Sequence, residues 1–163
     1  MGKRVITAVA LGSNLGDRAA HLNHAVSRLR DLLTGLHVSR FYDTIPVGVP
    51  GPQPLFLNAA AVGETAMPAR ELLETLLAIE YERGRERPYP NALRSLDLDL
   101  LLFGDATIDE PGLIVPHPRF RERRFVLEPL AEIAPDMKDP VTGKTVSELL
   151  QSAPRQSDDT STR

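Results

Sequence analysis

The sequence contains no cysteine and no tryptophan, and only 5% of its residues are aromatic. Without cysteine it can form neither a disulfide framework nor a thiolate zinc site, which agrees with a cytoplasmic location. Any stacking against a ring must depend on very few side chains. No apolar run approaches the ~18 residues that a membrane-spanning helix needs, and residues 1–4 lead directly into a strand pattern instead of a signal peptide. We therefore expect no membrane partner.

The chain also lacks a strong excess of charge of either sign. Its formal net charge is −3, and 25% of its 163 residues are charged while 42% are hydrophobic. Nucleic-acid-binding domains are usually strongly basic, so this balance argues against a nucleic-acid partner. The composition predicts one soluble domain over residues 1–151. The polar residues 152–163 are expected to form a disordered tail.

Two acidic residues occupy the most informative stretch, Arg94-Ser95-Leu96-Asp97-Leu98-Asp99-Leu100-Leu101-Leu102-Phe103-Gly104. The alternation predicts a strand with its leucines on the core and both carboxylates on the other face. Two strand residues separate the carboxylates by roughly 6.6 Å. They would repel by about 0.6 kcal/mol in water and about 2.5 kcal/mol at an effective dielectric of ~20. The pair is harmless on a solvated face, whereas in a cleft it would need a cation such as Mg²⁺.

Arginines cluster on both sides of this strand, in segments rich in proline: Arg83, Arg85, Arg87 and Arg94 before it, and Arg119, Arg121, Arg123 and Arg124 after it. The second cluster follows a rigid Pro-His-Pro that contains His117. Arginine binds phosphate oxygens with paired hydrogen bonds. A charge-rich loop is most often only solvated, but beside two same-face carboxylates it favours a site for a metal and a nucleotide.

Periodicity predicts strands over residues 5–11, 36–42, 56–62 and 106–108, and helices after Asp17, over residues 68–84 and 125–133, and over residues 146–150. Asp17 or Asn14 could cap the first helix, while Pro68 and Gly84 are suited to the two ends of the second. Four prolines and two glycines between residues 43 and 54 predict a long functional loop. The turn over residues 12–16 matches no phosphate-binding motif.

Polar residues interrupt two apolar patterns. Glu80 continues the helical stripe of Leu73, Leu76 and Leu77, where an unpaired carboxylate would be costly. It could form a salt bridge at the edge of the core or face a ligand. Asn58 follows the proline-rich loop and is either a satisfied core amide or an amide that binds a small ligand.

The landmarks of this chain resemble those of the 6-hydroxymethyl-7,8-dihydropterin pyrophosphokinases of folate biosynthesis, in the same order over about residues 4–135. The most specific landmark is the segment from Arg94 to Leu100, followed by Val115-Pro116-His117. The others are Leu11-Gly12-Ser13-Asn14-Leu15, Phe41-Tyr42-Asp43-Thr44 with Pro46, Phe56-Leu57-Asn58-Ala59-Ala60, Ile79-Glu80, Gly84-Arg85, Arg123 and Phe125.

This resemblance implies an α+β fold with a ferredoxin-like core, in which a four-stranded antiparallel sheet packs against helices. It implies an enzyme, a Mg²⁺-dependent pyrophosphokinase that transfers pyrophosphate from ATP to the hydroxymethyl group of the pterin and releases AMP. The partners would be these two small molecules, and we expect a monomer.

The same resemblance implies the residues of the site. Two Mg²⁺ ions would be held by Asp97 and Asp99, which would form the catalytic group with Arg85 and Arg94. The pterin would contact Thr44, Pro46, Val47, Phe56, Asn58 and Phe125. ATP would contact Glu80, Arg85, Arg87, Arg94, Leu100, His117 and Arg123.

Several positions depart from the family pattern. Leu77 stands where some members have a glutamine on the adenine side, and Pro118 stands where some have a tyrosine. The tryptophan that many members place before the acidic strand is absent, and residues 91–93 are Asn, Ala and Leu. A stacking lid is therefore not assumed, although we expect the segments over residues 43–54 and 84–91 to close over the bound substrates.

Two other classes of function also agree with the pair of aspartates or with the fold. A two-metal nucleotidyltransferase or nuclease would use the same aspartates, but it would need a further carboxylate ligand and no pterin pocket. A non-catalytic ferredoxin-like module could bind RNA or a small metabolite. The acidic balance and the scarcity of aromatic residues oppose RNA stacking.

Overall fold

The structure is a computed structural model that describes residues 3–45, 55–84 and 95–154. Within these ranges, one antiparallel sheet has the path β2-β4-β1-β5, and a short β3 also pairs with β4. Its strands are β1 (Val5–Ser13), β2 (Thr34–Val38), β3 (Tyr42–Thr44), β4 (Phe56–Thr65) and β5 (Asp97–Phe103). A separate hairpin consists of β6 (Ile108–Glu110) and β7 (Leu113–Val115).

Helices cover both faces of the sheet. The described residues form α1 (Arg18–Leu32), α2 (Ala69–Glu82), α3 (Arg124–Ile133), α4 (Val146–Ser152) and a 3₁₀ turn (Phe120–Glu122). The first two helices bury their leucines against one face, where Val9 and Leu98 also lie. The turn and the last two helices pack on the other face against Ala8 and Leu102. None of the helices in the described part of the chain has both the length and the hydropathy that crossing a membrane requires.

The edge strand beside β4 is interrupted, so the prediction of one continuous strand over residues 36–42 is wrong. Both β2 and β3 pair with β4, and Ser39 lies between them. The Ser39 N–H donates to the carbonyl of Ala60 (2.9 Å), and the Ala60 N–H donates to the Ser39 hydroxyl instead of a backbone carbonyl (2.9 Å). The described part of the sheet therefore has five strands, where four were expected.

The predicted helix ends are largely confirmed. Asp17 caps α1, and its carboxylate accepts a hydrogen bond from Ala20 N–H (3.1 Å). Helix α2 follows Pro68, and Gly84 adopts a positive φ of 80° just beyond it. The predicted apolar face of α2 is wrong at Leu77, which is 37% exposed. The buried face is displaced around the helix to Ala69, Leu72, Leu76, Ile79 and Glu80.

Asp139 joins the C-terminal segment to the 3₁₀ turn and is fully buried. Its carboxylate accepts two hydrogen bonds from the Arg121 guanidinium, one from Thr142 Oγ1 (2.8 Å) and one from Val141 N–H (3.0 Å). Burial alone would raise the pKa of Asp139, but these hydrogen bonds outweigh it and hold the pKa at about 2.

The low pKa of Asp139 predicts a specific loss of stability in acid. The pKa falls from 3.8 to about 2 on folding, so the stabilisation is complete above pH 3.8 and lost as the pH falls through 2. This window corresponds to about 2 kcal/mol of unfolding free energy. We expect the free energies of unfolding of the wild type and Asp139→Asn, measured by urea denaturation, to converge as the pH is lowered. A stability difference that stays constant from about pH 5 to about pH 2 would contradict this assignment.

Candidate active site

A cavity of about 430 Å³ lies between the α3-covered face of the sheet and the 3₁₀ turn that precedes α3. It contains seven of the site residues predicted from the sequence: Thr44, Phe56, Asn58, Asp97, Asp99, Arg123 and Phe125. Its other lining residues are Ala10, Leu11, Gly12, Ile45, Arg119, Glu122 and Val126, which were not among the predicted site residues.

The two aspartates stand on the same face of β5, as the alternation predicted. Both are half-buried, while Leu98 between them is buried in the core on the opposite face. Across the strand pair, Asp97 lies opposite Gly12 and Asp99 lies opposite Ala10. Because these partners are among the smallest residues, the sheet leaves open space beside both carboxylates.

Asn58 and Asp97 lie opposite the same residue of the central strand, on its two sides. Gly12 in the central strand β1 is directly opposite Asn58 on one side and Asp97 on the other. Adjacent strands are about 4.8 Å apart, so the backbones of Asn58 and Asp97 are separated by about 10 Å. The glycine between them has no side chain to fill this space, so the amide of Asn58 and the carboxylate of Asp97 can line one cavity.

Asn58 is 8% exposed, and its side-chain amide donates a hydrogen bond to the Thr44 hydroxyl. This bond orients the amide within the cavity wall. Phe56 and Phe125 line the same cavity from β4 and from the start of α3. The carbon at the centre of the Arg123 guanidinium lies 5.7 Å from the centroid of the Phe125 ring. Aromatic surface, an oriented amide and a cation therefore occur together.

Glu80 approaches β5 from α2 and is only 2% exposed. Its Oε2 accepts a hydrogen bond of 2.6 Å from the N–H of Leu98, the residue between the two aspartates. The Glu80 carboxylate thus accepts a hydrogen bond from the backbone of the acidic strand.

Arg83, the first member of the arginine cluster that precedes β5, donates through Nε to His21 Nδ1 (3.0 Å).

His117 lies next to the acidic strand but does not line the cavity. Its backbone N–H donates to the carbonyl of Leu101 (3.0 Å), and its Nδ1 accepts from the N–H of Arg119 (3.2 Å). Burial lowers the pKa of His117, and the positive charges of Arg123 and Arg119 lower it further, while Asp97 acts in the opposite direction. At neutral pH the ring is therefore uncharged, and its proton is on Nε2.

The downstream arginines divide into two pairs. Arg119 and Arg123 line the cavity. Arg121 instead binds Asp139, and Arg124 donates to the carbonyl of Leu150 at the end of α4 (3.1 Å). Only one of these pairs is therefore placed to contact a ligand in the cavity.

Several predicted site residues lie outside the described residues: Pro46, Val47, Arg85, Arg87 and Arg94. The segments predicted to close over substrates, residues 43–54 and 84–91, fall mostly there as well. Leu100 is described, and its side chain is buried in the core at 5% exposure.

The acidic pair is chemically suited to Mg²⁺, which favours carboxylate oxygens and commonly combines one or two of them with water and substrate phosphates. Arginines at the same cavity suit those phosphates. Residues 3–45, 55–84 and 95–154 contain no group of three or more His, Cys, Asp or Glu side chains that could hold a metal.

Sequence comparison identifies related proteins over most of the chain. Residues 8–135 match the family model described as 7,8-dihydro-6-hydroxymethylpterin-pyrophosphokinase. The chain is 45% identical over 139 residues to the 2-amino-4-hydroxy-6-hydroxymethyldihydropteridine pyrophosphokinase of Bacillus subtilis, covering 84% of this chain and 83% of that protein. It is 42% identical over 148 residues to the Pseudomonas aeruginosa protein of that name, covering 90% of each chain.

Solved structures of similar fold include wild-type HPPK-DHPS of Plasmodium falciparum, with a TM-score of 0.76 at 15% sequence identity. The match covers 93% of this chain and 45% of that one, so the present chain spans less than half of the Plasmodium protein's length. At this identity the likeness concerns the fold alone.

Proposed function

Because this chain belongs to the 7,8-dihydro-6-hydroxymethylpterin-pyrophosphokinase family, we propose that Asp97 and Asp99 hold the Mg²⁺ with which it performs that family's reaction. The enzyme transfers pyrophosphate from ATP to the hydroxymethyl group of 6-hydroxymethyl-7,8-dihydropterin in folate biosynthesis. The observation that best supports the metal assignment is the pair of carboxylates on one face of β5, beside small residues and within the cavity.

Two Mg²⁺ ions are proposed, and when bound they would neutralise phosphate oxygens and polarise the pterin hydroxyl. In the reaction, that hydroxyl oxygen bonds to the β-phosphorus of ATP while the bond from the β-phosphorus to the oxygen of the α-phosphate breaks. AMP leaves, and the proton of the hydroxyl is released to solvent. The two aspartates would hold and orient the Mg²⁺ ions, and we assign them no role in proton transfer. Positioning and electrostatic stabilisation carry most of such phosphoryl-transfer catalysis.

The pterin is proposed to bind between Phe56 and Phe125, with its polar edge on Asn58. Aromatic rings stack favourably on a flat heterocycle, and the bond from Asn58 to Thr44 presets the amide. Pro46 and Val47 are proposed to complete this pocket from outside the described residues.

Gly12→Ala is expected to weaken pterin binding selectively. A Cβ at Gly12 would lie 3.2 Å from Asn58 Oδ1, tighter than most contacts of a Cβ atom, so the amide would shift by a few tenths of an ångström. A small displacement of a binding group can cost on the order of tenfold. We therefore expect the KM for the pterin to rise about tenfold, with a smaller change for ATP. An unchanged KM for the pterin would show that Asn58 is not held in the way described.

ATP is proposed to bind along the arginine side of the cavity. Arg123 contributes from the junction between the 3₁₀ turn and α3. Arg85, Arg87 and Arg94 are proposed to contribute from outside the described residues, with Arg85 and Arg94 also catalytic. His117 would donate through Nε2–H. Leu100 would contact ATP through its backbone, since its side chain is buried. Glu80 would act on this side through the N–H of Leu98.

We also propose that the fold is ferredoxin-like and that residues 1–151 act as one monomeric domain. The order β1, α1, β2, β4, α2, β5 has the β-α-β-β-α-β pattern of that fold, and β3 would be an addition to it. Helix α4 ends at Ser152, near the proposed start of the tail, and residues 155–163 lie outside the described residues.

The test is an assay of AMP release from ATP and Mg²⁺, with and without 6-hydroxymethyl-7,8-dihydropterin. We expect AMP to form in equal amount to the pterin diphosphate, and to stop when the metal is chelated. Turnover that persists without divalent metal would refute the Mg²⁺ assignment. Incorporation of nucleotide into a polymer would instead indicate a nucleotidyltransferase.

A further inference from the structure

The C-terminal segment over residues 137–153 lies beyond the residues 8–135 that match the family, yet it is bonded to the turn that lines the cavity. We propose that this segment positions Arg119 and Arg123 for the triphosphate of ATP, with Asp139 as its principal positioning residue. The proposal rests on the proposed function, in which ATP occupies the arginine side of the cavity.

The first contact joins Asp139 to the middle of the 3₁₀ turn. The Arg121 guanidinium donates from Nε to Oδ2 (2.5 Å) and from its second terminal nitrogen to Oδ1 (3.0 Å). Such a paired arrangement sets the orientation of the arginine as well as its distance. The guanidinium also lies 5.1 Å from the ring centroid of the fully buried Phe120.

The carboxylate of Asp139 is itself held by its own segment. The Asp139 N–H donates to the carbonyl of Lys144 (2.9 Å), and its carbonyl accepts from the N–H of Gly143 (2.8 Å). Thr142 and Val141 donate to the carboxylate oxygens. The position of Arg121 is therefore determined from outside the turn.

A second contact lies at the other end of the same stretch. Arg124, the first residue of α3, donates to the carbonyls of Leu150 (3.1 Å) and Ala153 (3.5 Å). Leu150 lies in the last turn of α4, where its carbonyl also accepts from the N–H of Ala153 (3.3 Å), and Ala153 directly follows the helix. A cation is favoured at this end of a helix. Two arginines thus bind the C-terminal segment.

The residues that face the cavity alternate with these two. Arg119 directly precedes the turn, and Arg123 lies between Arg121 and Arg124. Arg121 and Arg124 are both hydrogen-bonded to the C-terminal segment, on the side of the turn away from the cavity. The backbone that carries the two cavity-lining arginines therefore has little freedom to move. The C-terminal segment therefore sets the direction from which Arg119 and Arg123 reach a phosphate.

Asp139→Asn is the direct test, since it keeps the shape of the side chain and removes its charge. We expect the KM for ATP to rise at least about threefold, with a smaller change in the KM for the pterin. The matched control is Thr7→Val, which removes a buried hydrogen bond to the carbonyl of Leu102, outside the C-terminal segment and without touching Arg121. It should lower Tm and leave the KM for ATP unchanged.

Arg121→Lys provides a second variant if Asp139→Asn does not fold, because it keeps the charge but loses the paired hydrogen bonds. It should also raise the KM for ATP selectively. An unchanged KM for ATP in the Asp139 or Arg121 variant, an equal rise for both substrates, or the same rise in Thr7→Val would overturn the proposal.

Arg123→Met separates this inference from the proposed function. If calorimetric titration with an ATP analogue shows no loss of affinity in that variant, the assignment of Arg123 to ATP is wrong. If Arg123→Met weakens binding but Asp139→Asn does not, only the positioning role of the C-terminal segment fails.

Discussion

Asp97→Asn and Asp99→Asn are each expected to lower kcat by at least about a thousandfold. The asparagine is nearly isosteric, but it lacks the negative charge that a hard cation requires. Folding should be little affected, because both side chains face the cavity while Leu98 faces the core. The measurements are AMP release at saturating Mg²⁺ and thermal unfolding of the same preparations.

A matched control is Asp105→Asn, which makes the same change of charge at an exposed position just after β5. It should retain near-normal turnover. If Asp97→Asn or Asp99→Asn retained kcat within about tenfold of the wild type, the carboxylates could not be the principal metal ligands.

Asn58→Ala is expected to raise the dissociation constant of the pterin by about 100-fold or more. The amide is nearly buried and already oriented by Thr44, so its hydrogen bonds to a ligand require little reorganisation. A pocket that loses such a group binds the pterin less tightly and leaves a polar ligand edge unpaired. Fluorescence titration with the pterin measures this change. Titration with an ATP analogue should show little change in the dissociation constant.

Thr7→Val is the control for loss of a buried hydrogen bond in the same sheet. The Thr7 hydroxyl is fully buried and donates to the carbonyl of Leu102 (2.8 Å), outside the cavity. Its replacement should lower Tm without weakening pterin binding. Equal losses of pterin affinity in both variants would show that Asn58 acts on stability alone.

The acidic strand could be predicted from sequence because its face depends only on a period of two. Any strand with this alternation places Asp97 and Asp99 together, whatever the rest of the fold, and the structure confirms this. The cap at Asp17 was predictable for a similar reason, since it depends on bonds within one turn of chain.

The division of the downstream arginines could not be predicted in this way. Arg119, Arg121, Arg123 and Arg124 have the same chemistry, and the partners of two of them lie 18 and 26 residues further along the chain. Only the fold brings Asp139 and Leu150 behind the turn. The same limit explains the interrupted edge strand, where the hydroxyl of Ser39 replaces a backbone acceptor.

The reaction itself came from the family landmarks, because same-face carboxylates and arginines occur in many metal–phosphate sites. The cavity adds that the acidic pair, Asn58 and two phenylalanines share one space across the small residue Gly12. We propose that a pterin and a metal-bound nucleotide meet there.

The most direct test of the metal assignment is a crystal structure with Mg²⁺, a non-hydrolysable ATP analogue and the pterin. We predict octahedral Mg²⁺ with oxygens of Asp97 and Asp99 at about 2.0–2.1 Å, bridged to the phosphates. Mg²⁺ bound to the phosphates without a direct bond to either aspartate would contradict it.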